Sequence, residues 1–282
     1  VLRCFAARDN GTTTAGSGSV STILSAIEYA IEQDVDVINM SFGGTNADSL
    51  AILEASLQKA ADQGIILVAA AGNDGSGIYR YPAAFDCVIG VGAVGENGEL
   101  YSGSQRNDSV FVTAPGVDIY GVGYQGDVLY RSDTGTSMAA PMVSALAALA
   151  KQVDKAIDND DFRTLLQASV TDGGEKGYDV GYGWGSISAS TFVQALTAPQ
   201  AIDYQCGQGE LPDEGNWSTT YQIGEGNQVV LPVPVRAEYD FTGWYLTEDC
   251  VGTAISAIPA GSVGTVTLYA GWTEHLEPEP QP

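Results

Sequence analysis

The run DTGTSMAAPMVSALAALA, Asp133–Ala150, places a serine at the head of an Ala-rich apolar segment. Gly135 permits a tight turn, Thr136 can cap a helix, and Ser137 then falls at the helix N-terminus. Free N–H groups and the helix dipole favour developing negative charge there. Pro141 reads as part of the first turn, where its missing donor costs little. A serine so placed is a candidate nucleophile for acyl transfer, with the Ser137 amide as a donor to an oxyanion; its plainer role is a helix cap. A nucleophilic serine needs a base. The chain has one histidine, His275, close to its carboxyl end and in a charged tail.

Two other peptides offer complementary chemistry. In ILVAAAGNDG an apolar run ends at Gly72 and Asn73. A side-chain amide at the carboxyl end of a strand can donate to an oxyanion, although Asn is also an ordinary turn residue. VINMSFGG, Val37–Gly44, ends in small residues and a glycine pair, and GSGS, Gly16–Ser19, offers a second such edge. Such edges can pair with an extended peptide, and each is also compatible with a plain loop.

The elements that must carry these residues alternate in type. STILSAIEYAIEQD sets Ile23, Ile27, Ala30 and Ile31 on one helical face. ADSLAILEASLQKAADQG is a second amphipathic helix, with Asp48 as N-cap and Gly64 as stop. VLRCFAA, VDVINMS, IILVAAAGN, CVIGVGAV and SVFVTAPG read as strands, several without alternation, as expected when both faces are covered. YGVGYQGDVLYRSDTG reads as a hairpin leading to Ser137. Helices follow near Asp158–Ser169, where the acidic run DNDD is a solvated helix start, and near Ala189–Leu196. The pattern predicts an α/β fold, a mostly parallel sheet flanked by helices, over residues 1–198. Residues 199–274 change to short, aromatic, β-prone segments split by Gly and Pro, predicting a small β-rich module. Residues 275–282 read as an acidic, Pro-rich tail or linker.

The chain has 282 residues and a net charge of −24, and residues 199–282 hold 12 of its 35 acidic residues but 1 of its 11 basic ones. That balance argues against nucleic acid as a partner. Among Cys4, Cys87, Cys206 and Cys250 there is no CxxC pair, so a zinc site is not expected. Cys4 and Cys87 fit buried free thiols, and Cys206 and Cys250 can form a disulfide if their geometry allows. No apolar run reaches membrane-spanning length. The chain opens inside an apolar run, which reads as a cut end.

Taken together, GTSMAAP, AAAGN and VINMSFGG, in family order along the chain, resemble the subtilisin-like serine proteases over nearly all of residues 1–198. The resemblance implies a serine endopeptidase acting on a protein or peptide substrate through an acyl-enzyme on Ser137, with Asn73 in the oxyanion hole. It implies substrate-pairing edges at Ser41, Phe42 and Gly43 and at Gly16, Ser17 and Gly18, and a wall of the primary specificity pocket at Ala70, Ala71 and Gly72. In this family the catalytic Asp and His precede the peptide matched by VLRCFAARDNG. The base is therefore expected upstream of Val1, and the segment alone is expected to be nearly inactive. The competing expectation is a non-catalytic surface-binding protein built on a degenerate protease fold.

Three features bear on that resemblance. Met142 stands where the family commonly has a histidine that is not the catalytic one. Arg80 falls near the floor of the specificity pocket, where it would favour an acidic substrate side chain, or else points to solvent or pairs with Asp86. No cofactor is required for the chemistry, and no metal site is predicted; a structural calcium is allowed, with carbonyls of AAFDCV and Asp86 or Asp108 as donors. Finally, FTGWY and LYAGW, within residues 202–273, resemble the Listeria–Bacteroides repeat of bacterial surface proteins. Trp244, Tyr245, Tyr269 and Trp272 are expected to form its core, with a carbohydrate-binding face as the alternative. That resemblance implies an exported or surface protein, with a cell wall or host surface as partner.

Overall fold

The computed structural model describes residues 6–7, 16–45, 50–122 and 130–275. They fall into two compact units, one comprising residues up to Gln152 together with Asp158–Val193, the other Val153–Ile157 together with residues from Gln194 onward. The expected features at Cys4 and Asp48 lie outside the described residues.

In the first unit, β1 (Ala6–Ala7) pairs antiparallel with β2 (Gly16–Ser17). Helix α1 (Val20–Glu32) starts where Ser19 accepts a bond from the Thr22 N–H at 3.2 Å, and it buries Ile23, Ile27 and Ala30. The 3.6-residue period of those apolar positions gives the helix its inner face. After β3 (Val37–Met40), α2 (Leu50–Asp62) buries Leu53, Leu57 and Ala60 and stops at Gly64, whose φ is +80°.

The sheet consists of β3, β4 (Ile66–Ala70), β5 (Ile89–Val94) and β6 (Val110–Pro115), parallel and in that order. Every residue of β4 is buried. Leu67 and Ala69 join a core with Ile23, Ile27, Leu53 and Leu57 from the two helices. Ile66, Val68 and Ala70 alternate to the opposite face, so both faces need apolar side chains and the run shows no polar alternation. Strands β7 (Ile119–Val122) and β8 (Tyr130–Asp133) form the expected antiparallel hairpin and deliver the chain to α3 (Thr136–Val153).

Helix α4 (Asn159–Ser169) begins in a capping box: Asp158 accepts from the backbone of Asp160 and Asp161, and Asp161 accepts from the backbone of Asp158. The buried Asn159 side chain accepts from Leu67 N at 3.2 Å and donates to the Cys87 carbonyl at 2.9 Å. One amide thus ties α4 to β4 and to the segment entering β5. Helix α5 (Ala189–Thr197) follows, with Phe192 edge-on to Phe162.

The second unit holds a four-stranded sheet in the order β10-β9-β12-β11, made by β9 (Gln200–Gln205), β10 (Thr220–Tyr221), β11 (Tyr239–Tyr245) and β12 (Val266–Glu274). Strands β9 and β12 are parallel and the other pairs antiparallel. Beyond α5, the one helical segment among the described residues is a 3₁₀ turn at Gly226–Gln228.

The aromatic core differs from expectation. Trp244 is buried, donates to the Pro232 carbonyl at 2.8 Å, and packs with Ile202, Tyr221 and Leu268; Trp272 packs against the same cluster. Tyr245 and Tyr269 lie on the other face, cross-strand partners, with the Tyr245 ring over Gly271. Consecutive strand residues point to opposite faces, so Trp244 and Tyr245 cannot share one core. Cys206 and Cys250 are free thiols, as is Cys87, whose thiol is pushed up to about 11 by burial. No helix among the described residues is long and apolar enough to cross a membrane.

Candidate active site

Asn73 and Ser137 meet through Thr136, the residue that precedes Ser137. The Asn73 Oδ1 accepts from the Thr136 backbone N–H at 2.8 Å and from the Thr136 hydroxyl at 3.1 Å. The Thr136 hydroxyl in turn accepts from the Gly72 N–H at 3.1 Å. Thr136 is therefore not the cap foreseen from sequence. It is the first helical residue, and the cap is supplied across space by Asn73. Because a backbone N–H can only donate, the amide orientation is determined: oxygen toward Thr136, nitrogen away from it. The Asn73 Nδ2 is left with no protein partner among the described residues.

Two glycines make this approach feasible. At Gly135, φ is +149° and a Cβ would lie 3.1 Å from both terminal atoms of the Asn73 amide. At Gly72, φ is +118° and a Cβ would fall 2.7 Å from Arg80 Cγ and 2.8 Å from Gln105 Cγ. An L side chain is strained at such φ and would also displace the groups that form the site.

Ser137 and Ser41 hold each other reciprocally. Ser137 Oγ donates to the Ser41 carbonyl at 3.1 Å, and Ser41 Oγ donates to the Ser137 carbonyl at 2.8 Å. Pro141 explains why that carbonyl is free. It sits six residues into α3, past the first turn where sequence reading had placed it, and it lacks the N–H that would otherwise reach back to residue 137. Ser41 takes the place of the missing donor. Asn39 Nδ2 donates to Ser41 Oγ at 2.9 Å, and Ser144 Oγ donates to Asn39 Oδ1 at 3.0 Å, so a polar chain runs from α3 through the end of β3 back to Ser137. The Ser137 N–H, in the first turn, belongs to the donors without an intrahelical acceptor.

The expected pairing edge Ser41–Gly43 is thus beside Ser137. It runs into an antiparallel bridge in which Gly44 and Tyr81 exchange two hydrogen bonds of 2.9 Å. Phe42 is half-buried against the first unit's core. Ala70 and Ala71 are buried at the end of β4, leaving Gly72 and backbone to face outward. Gly16 and Ser17 form β2, and Gly18 follows it, exposed. His275 lies in the second unit, where it pairs with Asp240 at 3.0 Å.

Sequence reasoning missed Gln105, Asp74 and the role of Pro141. Gln105 has no solvent exposure. Its Oε1 accepts from Asp74 N at 3.0 Å and Ser76 N at 3.2 Å, and its Nε2 donates to the Ile78 carbonyl at 2.6 Å. A single side chain therefore sets the shape of the loop after Asn73. Arg80 pairs with Asp74 at 2.6 Å, and not with Asp86.

The sequence profile described as the Subtilase family matches residues 9–185. The chain belongs to the subtilase family. Among its relatives are the minor extracellular protease Epr of Bacillus subtilis (39% identical, 66% of this chain and 29% of that protein) and subtilisin DY of Bacillus licheniformis (39% identical, 64% and 65%). The chain thus spans less than two thirds of the length of these subtilases. A subtilisin-like protease from the Antarctic Pseudoalteromonas sp. AS-11 shares the fold, with a TM-score of 0.59 at 19% identity over 65% of this chain and 76% of that one. The prenylagaramide maturation protease PagA superposes with a TM-score of 0.56 at 29% identity, over 64% and 69%. Residues 210–271 match the Listeria-Bacteroides repeat domain.

Subtilase chemistry uses no cofactor. Among the described residues, no group of three or more His, Cys, Asp or Glu side chains is placed to hold a metal. The AAFDCV loop, whose carbonyls were candidate calcium donors, has another cation on it. Arg163 Nη2 donates to the carbonyls of Asp86 at 2.8 Å and Val88 at 2.7 Å, and the guanidinium lies 4.8 Å from the Phe111 ring centroid. A fixed positive charge on two of the carbonyls does not suit a divalent ion there. Burial lowers the Arg163 pKa, opposed by the nearby Asp160, Cys87 and Asp86.

Proposed function

We propose that this subtilase is a serine endopeptidase in which Ser137 forms the acyl-enzyme. Ser137 Oγ attacks the carbonyl carbon of the scissile peptide, its proton passing to a base and from there to the departing amine. Water then cleaves the ester and regenerates the hydroxyl. Asn73 Nδ2 and the Ser137 N–H stabilise the oxyanion. Ser41–Gly43 and Gly16–Gly18 bind extended substrate backbone on either side, and the turn Ala70–Gly72 walls the pocket for the residue before the scissile bond. The observation that carries this reading is the double anchoring of the Asn73 oxygen on Thr136, which leaves its nitrogen as an unspent donor one residue from the nucleophile. The first unit contains no histidine. The resemblance to extracellular proteases and the surface-type repeat support an exported or cell-surface protein acting on protein substrates, with the repeat as its attachment module.

The test is fluorophosphonate labelling of the full-length protein followed by peptide mapping. Labelling is expected at Ser137 and is lost in Ser137→Ala. Asn73→Asp keeps an acceptor for Thr136 but removes the donor. It is expected to fold and to lose turnover by ~10²–10³, the magnitude known for loss of the oxyanion donor in a subtilisin. Absence of labelling in the folded protein would instead support a non-catalytic surface-binding role.

A further inference from the structure

Arg80 is wedged between the loop that bonds Ser137 and the loop that bonds Thr136. A Cβ on Gly72 would meet Arg80 Cγ at 2.7 Å, and one on Gly43 would meet Arg80 Cβ at 3.4 Å. Gly72 immediately precedes the oxyanion donor Asn73, and Gly43 lies two residues after Ser41, the partner of the nucleophile. The reacting carbonyl belongs to the substrate residue before the scissile bond. The side chain of that residue leaves the atom next to the carbonyl, so it falls against the wall nearest the oxyanion donor. That wall is Gly72 backed by the Arg80 stem.

The Arg80 charge is satisfied on one edge only. Its Nε and Nη2 both meet a single oxygen, Asp74 Oδ2, at 2.7 and 2.6 Å. A guanidinium carries five N–H donors, and the Nη1 side has no protein partner among the described residues. The side chain is 26% exposed. The arrangement is held in advance of any ligand, because Gln105 fixes the backbone of Asp74, Ser76 and Ile78 from inside. A planar fork with two free parallel donors matches a carboxylate. Asp74 reduces the net charge of the pair but leaves that fork in place.

We propose that Arg80, oriented by Asp74, recognises a carboxylate on the substrate side chain immediately before the scissile bond, so that Glu and Asp are preferred there. The inference rests on Ser137 being the nucleophile, but its test does not require turnover. Fluorescein-labelled hexapeptides ending in Glu, Leu or Lys are titrated by anisotropy against the full-length protein carrying Ser137→Ala, at low ionic strength. The Glu peptide is expected to bind at least about tenfold more tightly than the others, as for one added charge-assisted bidentate contact. Arg80→Ala is expected to remove the difference, and Asp74→Asn, which keeps an oxygen for the first edge but removes the competing negative charge, to widen it. Equal or tighter binding of the Leu peptide, no binding of any peptide, or a ranking unchanged by Arg80→Ala would overturn the proposal. Failed labelling at Ser137 would count against the protease reading alone. Labelling combined with a Leu preference would count against the Arg80 assignment alone.

Discussion

Pro141 leaves the Ser137 carbonyl without its helical donor, and the Ser41 hydroxyl fills the vacancy from 96 positions away in sequence. The two residues should therefore be energetically coupled. Ser41→Ala strands the carbonyl and is expected to destabilise the first unit by about 1–2 kcal/mol. In a Pro141→Ala background, residue 141 has an N–H that can reach the same carbonyl, and the cost of Ser41→Ala should shrink by about 0.5–1.5 kcal/mol. Urea denaturation of the four proteins in this cycle gives the coupling; equal costs in both backgrounds would refute it. Ser137 and Asn73 were both legible from their own peptides, because a small-residue turn into a helix and a strand ending in Gly-Asn are local patterns. Their physical connection was not, since Thr136 looks like an ordinary cap until Asn73 is brought to it.

Helix α4 shows how a correctly foreseen element can carry an unforeseen charge effect. DNDD is a helix start, and Asp158 and Asp161 build a capping box there. Burial is the main cause that pushes the Asp161 carboxyl up to about 6, assisted by the neighbouring Asp158 charge. An acid whose pKa is higher in the folded state contributes stability that is fully present below its ordinary value of 3.8 and is lost as pH rises through about 6. Asp161→Asn keeps an acceptor for the Asp158 N–H and has no proton to lose. The variant should flatten the fall in stability between about pH 4 and 7 and be the more stable protein at pH 7, as read from urea midpoints across that range. A parallel pH dependence in both proteins would refute the assignment. Element types were readable because helix and strand periods are written within ten or so residues. The division of FTGWY between two faces, with Trp244 inside and Tyr245 outside, follows from the period of two once the strand register is known.

At the scale of the whole molecule, 35 acidic residues against 11 basic ones make self-repulsion a general load on the folded chain. Raising NaCl from about 0.01 M to about 1 M shortens the screening length from ~30 Å to ~3 Å. The Tm is expected to rise over that range, measured by calorimetry, and a falling Tm would show that favourable surface ion pairs outweigh the repulsion. The acidic balance, the α/β alternation, the change of texture near residue 199 and the turn-into-helix and strand-end settings of Ser137 and Asn73 were all determined by the sequence on its own. Each is a property of composition or of a short window. The tertiary structure alone decided that Gln105 shapes the loop after Asn73, that Arg80 pairs with Asp74, that Arg163 occupies the carbonyls once open to a cation, and that Ser41 replaces the donor missing at Pro141. All but one of these partners are more than 25 residues apart, and even Arg80 and Asp74 meet only because a buried glutamine from another segment folds their loop. Periodicity encodes which face of an element is buried, but not which distant polar group will arrive to satisfy a freed carbonyl or a charged fork.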